Sequence, residues 1–292
     1  MRMVNSVDEM KHLTMDAHRQ GRTVGLVPTM GALHEGHMSL VRLARKHADM
    51  VVTSVFVNPI QFGRGEDLAH YPRDLERDRE LLETEGNDVL FAPDQEMMYP
   101  PGFVTRVCVA DLSDRLCGAF RPGHFDGVTT VVAKLFHIVV PDVAVFGQKD
   151  AQQIIIIRRM LRDLNWDIEL IVGPTIREPD GLAMSSRNSY LTPQEREDAT
   201  VLYEALQHTR QIVERGEFQA SVLIREMKRL IEAKKTARID YIAVVDPETL
   251  DDLDEVRNRA LVATAVHFGT ARLIDNILIE VKNCGITRGI DQ

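Results

Sequence analysis

Hydrophobic positions along the chain follow two rhythms. TVGLVPT at 23–29 and MVVTSVFVN at 50–58 are short, valine-rich runs that stay apolar at successive positions, as strands buried on both faces of a parallel sheet do. Between them, Gly36 to Ala48 places Leu40, Val41, Leu43 and Ala44 at helical spacing, so the three segments predict a β-α-β unit. The alternation continues: 73–85 reads as a helix, NDVLFAP as a strand, 127–139 as a helix, DVAVFG at 142–147 as a strand, 150–163 as a helix and DIELIVG at 167–173 as a strand. This pattern predicts an α/β fold on a Rossmann-like, doubly wound parallel sheet, with ligands beyond the carboxyl ends of its strands.

Past PTIREPDGLAMSSRNSYLTPQE the rhythm changes. Residues 193–235 predict two charged amphipathic helices, opened by Thr192 as N-cap with Pro193 at the first helical position. RIDYIAVVD, RALVATAVHFG and ARLIDNILIEV then read as strands, the last two joined by a Gly-Thr turn. We therefore expect domains at 1–180 and 181–292, the second a smaller C-terminal α+β domain.

Composition narrows the partners. With a net charge of −9 over 292 residues, the chain has no overall attraction for nucleic acid or anionic lipid. Cys108, Cys117 and Cys284 are scattered without a C-x-x-C pair, which suits neither a disulfide framework nor a cysteine zinc site. The N-terminal residues are polar and no apolar run approaches the roughly 20 residues of a membrane span. The expectation is a cytoplasmic protein without nucleic-acid or membrane partners.

The chemistry gathers where strands end. After the first strand comes Thr29-Met30-Gly31-Ala32-Leu33-His34-Glu35-Gly36-His37, after the second Asn58-Pro59-Ile60-Gln61, after 142–147 Gly147-Gln148-Lys149-Asp150, and after 167–173 the loop leading to Met184-Ser185-Ser186-Arg187. The set lacks a nucleophile and suits a polyphosphate. Glycines let backbone approach a ligand, the helix starting near Gly36 offers N–H groups and a positive dipole end, and His34, His37, Lys149, Ser185, Ser186 and Arg187 are donors to phosphate oxygen. Aimed at a phosphorus under attack, they would stabilise the charge that develops as pyrophosphate leaves.

Each motif alone also has a plainer reading. The H-x-x-H pair suits a helix cap, a packing contact or half of a zinc site; Lys149 and Asp150 suit a solvated cap, MSSR an ordinary connector, Gln61 a turn, and Gln152 and Gln153 a helix surface. The triplet DRL with the stretch CGAFRPGHFDG, residues 114–127, reads as a long loop in which Arg121 and His124 are candidates to face a ligand. Joint occurrence favours the polyphosphate site. No Walker-type loop, G-x-G-x-x-G or G-x-S-x-G is present.

H-x-G-H at 34–37 and the later Met-Ser-Ser-Arg loop resemble the HIGH and KMSKS elements of the class I nucleotidyltransferase superfamily. More narrowly, PTMGALHEGH, FVNPIQF, DLAHYPRDLERD, LCGAFRPGHFDGVTTVV, FGQKDAQQ and DGLAMSSRNSYL, in this order from residue 28 to 191, resemble the signatures of the pantoate–β-alanine ligase family. That resemblance implies a HIGH-type Rossmann-like domain and ATP-dependent formation of a pantoyl adenylate, which β-alanine attacks to release AMP and pantothenate. It implies that Met30, Gly31, Ala32, Leu33, His34, Glu35, Gly36 and His37 line the ATP site, with His37 as proton donor and His34 on the phosphates. Gly147, Gln148, Lys149 and Asp150 match a second ATP segment, in which Lys149 meets phosphate and Asp150 the ribose. Ile176 matches an adenine contact, and Met184, Ser185, Ser186 and Arg187 a segment closing over the triphosphate as part of a C-terminal lid. Gln61 and Gln153 match the residues that hold pantoate, Gln61 lying also near β-alanine. Mg²⁺ is expected to arrive on ATP without a dedicated protein metal site, and the assembly is expected to be a homodimer.

Two departures stand out. The Met-Ser-Ser-Arg loop lacks the lysines of KMSKS, so Lys149 and Arg187 must supply the positive charge. Ala32 stands where many members carry Asn, a small change if the backbone does the binding. An aminoacyl-tRNA synthetase, a coenzyme-forming adenylyltransferase and a nucleotide-binding regulator are the rival readings; the acidic chain, with only a small C-terminal domain, shows no tRNA surface.

Overall fold

A computed structural model describes residues 1–281; Cys284 lies outside the described residues. In chain order the elements are β1 (Arg2–Val4), α1 (Val7–Arg19), β2 (Val24–Thr29), α2 (Glu35–Arg45), β3 (Met50–Val55), α3 (Leu75–Thr84), β4 (Val89–Phe91), α4 (Gln95–Met98), α5 (Cys117–Phe120), α6 (His124–Val139), β5 (Val143–Gly147), α7 (Ala151–Asp163), β6 (Glu169–Gly173), α8 (Pro193–Ala199), α9 (Val201–Glu214), α10 (Ala220–Glu232), β7 (Ala237–Val245), β8 (Arg259–Phe268) and β9 (Ala271–Glu280). The chain forms two compact units. The first comprises Met1–Asp114, Arg121–Gly147 and Gln152–Gly173; the second comprises Arg115–Phe120, Gln148–Ala151 and the chain from Pro174 onward. The turn bearing Lys149 thus belongs to the second unit rather than to the N-terminal domain in which the sequence places it.

In the first unit, six parallel strands lie in the order β1-β4-β3-β2-β5-β6. Strand order reverses between β2 and β5, the switch point at which doubly wound sheets bind ligands. Val24, Leu26, Val27, Val51 and Val52 are fully buried, which explains why these strands run apolar without alternation over their first residues; Thr53 and Ser54 of β3 are buried polar exceptions. All carboxyl ends share one edge because every pairing is parallel. β1 and α1 are not foreseen in the sequence. β1 spans three residues, too few to show a period, and α1 buries only Met10, Thr14 and Ala17 on an otherwise polar helix capped by Ser6.

In the second unit, an antiparallel sheet of order β7-β8-β9 carries the expected Gly269-Thr270 turn between its last two strands. Leu202, Leu206, Leu223, Met227 and Ile231 from the helices form one core with Val262, Val266 and Phe268. Residues 193–235 hold three helices where two are expected: the Thr200 hydroxyl donates to Glu197 O at 2.8 Å, a local bond that competes with the helical ladder where α8 gives way to α9. Thr192 caps α8 in a full capping box with Glu195, as its sequence predicts. Among the described residues, no helix is long and apolar enough to cross a membrane.

Candidate active site

The loop after β2 takes its shape from one buried carboxylate. Gly31 (φ 82°) and Ala32 (φ 51°) both have left-handed backbone, which turns the chain so that Asp78, from α3 and 1% exposed, accepts the Ala32 N–H at 2.9 Å and the Leu33 N–H at 2.7 Å. Burial pushes the Asp78 carboxyl up, against the lowering effect of those two bonds. A side chain at Gly31 would start 3.0 Å from both Asp78 Oδ2 and Val55 Cγ1, so glycine serves the φ and the space together.

The loop delivers His34 as N-cap of α2. His34 Nδ1 accepts the Gly36 N–H at 3.1 Å, and His37 Nδ1 accepts the His34 N–H at 3.3 Å, a capping box built from imidazoles. Both Nδ1 atoms act as acceptors, so the neutral rings carry their protons on Nε2, a donor position. The capping reading and the anion reading therefore fall on different ring nitrogens. Exposed Glu35 pairs with Arg42, and half-buried Gly36 opens the helix.

The turn after β3 carries Gln61, 8% exposed. Its Nε2 donates to Met30 Sδ at 2.9 Å and its Oε1 accepts from Asn58 Nδ2 at 2.9 Å, which joins the expected pantoate residue to the expected ATP loop. Asn58 also donates to Gly127 O at 3.0 Å and accepts the Tyr99 hydroxyl at 2.7 Å; burial raises the Tyr99 phenol above its ordinary range, so it stays a donor. A Cβ on Gly127 would lie 2.5 Å from Ile60 O and Gln61 Cα, so α6 packs directly on the Gln61 backbone. His124 Nδ1 donates to Gln61 O at 2.8 Å. Within the expected long loop at 114–127 the chain instead forms α5 and the start of α6, and Arg121 donates to both carboxylate oxygens of Glu66, at 2.8 and 2.6 Å. Burial works against the Glu66 charge, but the Arg121 bonds prevail and hold its carboxyl below the ordinary value. Gln152 is core rather than surface, donating to Leu112 O at 3.0 Å; its neighbour Gln153 is half-buried in the first turn of α7. Gly147 ends β5.

The second unit carries the remaining candidates. Gln148–Asp150 form a half-buried 3₁₀ turn. Ile176 begins a hairpin-like excursion closed by the Arg177–Ala183 bridge, in which Met184 N donates to Ile176 O at 2.9 Å. Ser185 then caps a 3₁₀ turn over Ser186–Tyr190, its Oγ accepting the Arg187 N–H at 3.3 Å. The adenine candidate and the Met-Ser-Ser-Arg segment are thus the two ends of one local structure. Among the described residues, no group of three or more His, Cys, Asp or Glu is placed to hold a metal.

Donors to anionic oxygen dominate this inventory. Asp78 and Tyr99, which help hold the N-terminal candidates in place, are missed by sequence reasoning, their only signals there being an acid in a helix and an aromatic in a turn; Asn58 is placed in the loop before Gln61, but its positioning role is not foreseen.

The family model for pantoate-beta-alanine ligase matches residues 2–278. A pantothenate synthetase from Thermoanaerobacter sp. (strain X514) is 51% identical over 278 residues, covering 95% of this chain and 98% of its own. Among solved structures, pantothenate synthetase from Thermus thermophilus aligns with a TM-score of 0.90 at 49% identity, covering 95% of this chain and 99% of that one. Pantoate-beta-alanine ligase from Francisella tularensis, complexed with beta-gamma ATP and beta-alanine, aligns with a TM-score of 0.77 at 34% identity, covering 95% and 97%. With a matching family model over nearly its whole length and relatives alike in sequence and in fold, this chain belongs to the pantoate–β-alanine ligase family.

Proposed function

We propose that this ligase joins pantoate to β-alanine in two half-reactions that share one activated intermediate. In the first, a pantoate carboxylate oxygen attacks the α-phosphorus of ATP and the bond to pyrophosphate breaks, giving pantoyl adenylate. In the second, the β-alanine amine attacks the acyl carbon, the bond to AMP breaks, and the amine loses its proton. The first step is needed because a carboxylate is a poor acyl donor; as a mixed anhydride with AMP its leaving group becomes a stable phosphate.

The observation that carries this reading is the imidazole capping box at the N-terminus of α2, which fixes two Nε2 donors beside a positive helix end. His37 serves as donor to the departing pyrophosphate and His34 contacts the phosphates, with Lys149 and Arg187 adding charge and Ser185 and Ser186 adding hydroxyls. Gly147, Gln148 and Asp150 with Ile176 bind the nucleoside end, Met184 joins Ser185–Arg187 over the triphosphate, and Gln61 and Gln153 hold pantoate. Neutral amides suit pantoate because they bond its oxygens without fixing the attacking one in a strong ion pair. The donor set is mainly cationic or neutral, which fits Mg²⁺ carried by phosphate oxygens, where it would neutralise charge on the triphosphate. We further propose that the C-terminal unit acts as a lid, that the enzyme is a homodimer, and that it works in the cytoplasm.

Isotope exchange tests the reading. Pyrophosphate should exchange into ATP only when pantoate is present, and AMP should be released only when β-alanine is added as well. Exchange without pantoate, or AMP retained in the product, would favour an adenylyltransferase; nucleotide binding without exchange would favour a regulator.

A further inference from the structure

Two neighbouring residues of β9 reach both nucleotide-binding segments of the second unit. Asn276, 5% exposed, accepts from Gln148 Nε2 at 3.0 Å through Oδ1 and donates through Nδ2 to Gln148 O at 3.1 Å and Lys149 O at 2.9 Å. One amide thus meets three polar groups of a turn more than 120 residues earlier in the chain. Asp275, 2% exposed, accepts from Arg177 Nη1 at 2.6 Å and Nη2 at 3.0 Å, and from the Asn276 N–H at 2.8 Å. Arg177 also donates to Gly181 O at 3.1 Å and lies over the Tyr203 ring at 4.4 Å, so the charge pair ties down the hairpin that begins at Ile176 and leads into Met184–Arg187.

We propose that Asp275 and Asn276 are a positioning pair for adenylation: Asn276 sets the turn that presents Lys149, and Asp275, through Arg177, sets the segment that presents Ile176 and Ser185–Arg187. The proposal rests on the assignment of those segments to ATP. The turns need this support because each is a short 3₁₀ piece, which holds its shape less firmly than an α-helix. A buried amide satisfied at three points is costly to misplace, since any shift leaves carbonyls or the amide itself unbonded away from water. The two residues are adjacent on one strand, so the two segments keep a fixed spacing along it.

Asn276→Ala should raise the KM for ATP in pantoate-dependent exchange by about tenfold or more and leave the KM for pantoate within about twofold, because the pantoate residues lie in the other unit. Asn276→Asp keeps the acceptor for Gln148 but turns an oxygen toward two carbonyls, and should be no better than alanine. Asn276→Ser, which keeps one hydroxyl, serves if the alanine variant does not fold, and should fall between wild type and aspartate. In a Lys149→Ala background, Asn276→Ala should add less than about threefold, since its effect passes through Lys149. A purely structural role would lower Tm but leave ATP KM unchanged, or would multiply fully with Lys149→Ala; either result overturns the proposal. Wild-type enzyme without pantoate-dependent exchange would instead overturn the ligase reading. Calorimetry with a non-hydrolysable ATP analogue then still tests the pair, and affinity unchanged by Asn276→Ala refutes it.

Discussion

The two sets of phosphate candidates are held in different ways. The GALHEGH segment is shaped mainly by its own backbone: left-handed residues at 31 and 32, a capping box within four residues and a full α-helix behind it, with Asp78 as the main outside support. The Gln148–Asp150 turn, although it leads into α7, and the Met184–Arg187 segment, which has no α-helix directly behind it, are tied in addition by side chains of β9 and the Arg177 fork. A region set by backbone should tolerate changes to its surroundings and fail when its own residues change. A region set by cross-ties should fail when a remote residue is altered.

His37→Ala tests the first half of this contrast with the largest effect. Single-turnover adenylation should slow about a hundredfold or more, as for a lost transition-state donor, while circular dichroism stays native; wild-type speed would remove the role. Gly127→Ala comes next. Its Cβ has no space against Ile60 and Gln61, so thermal unfolding should show a loss of about 1–3 kcal/mol together with a raised KM for pantoate. An unchanged KM would show that the Gln61 backbone does not depend on this contact.

Arg177→Lys keeps the charge in the second region but loses the fork that meets Asp275. It should cost about 1–3 kcal/mol by urea denaturation and weaken ATP more than pantoate; equal weakening of both would blur the comparison. Asp78→Asn should lose about 1–2 kcal/mol for a backbone N–H left poorly bonded, with a pH signature. The folded Asp78 carboxyl lies above its ordinary value of 3.8, so its proton is held more tightly in the folded than in the unfolded chain. Its contribution to stability is therefore fully present below that value and declines as pH rises through the folded pKa. The stability of wild type relative to Asp78→Asn should fall over that window and then level off, and a gap that widened with pH would contradict the assignment. Smallest is Ala32→Asn. Asparagine accepts left-handed backbone more readily than alanine, so a gain of about 0.5–1 kcal/mol in urea denaturation is expected with kinetics unchanged; a loss would mean that the side chain, not φ, governs this position.

The same contrast separates what the sequence reveals from what it hides. The parallel sheet and the histidine pair are legible because their signals are local: valine runs, and two histidines within one helical turn. Position 32 is legible only in part. The sequence shows an alanine where the family resemblance implies asparagine in many members, whereas the left-handed backbone there, a φ of 51°, is seen only in the structure. The placement of Lys149 with the second unit is hidden, since the Asn276 bonds that join them come from an asparagine inside an apolar strand, which reads simply as a strand residue. α1 is hidden for the opposite reason: its buried stripe is too sparse to be distinguished from a polar lead-in. Gln152 and Gln153 show the limit of residue type, for adjacent identical side chains take different environments according to which face of α7 they occupy.

The Tyr99–Asn58–Gln61 chain also has a direction. A phenol that stays protonated fixes the Asn58 oxygen toward itself, the Gly127 carbonyl fixes the Asn58 nitrogen on the other side, and the oxygen of Gln61 is thereby spoken for. With one Nε2 hydrogen given to Met30 Sδ, the other is the group that Gln61 would offer to a substrate. A donor held this way would bond an oxygen lone pair, so if Gln61 holds pantoate as proposed, it would meet the acid as a hydrogen-bond donor and leave the attacking oxygen unprotonated.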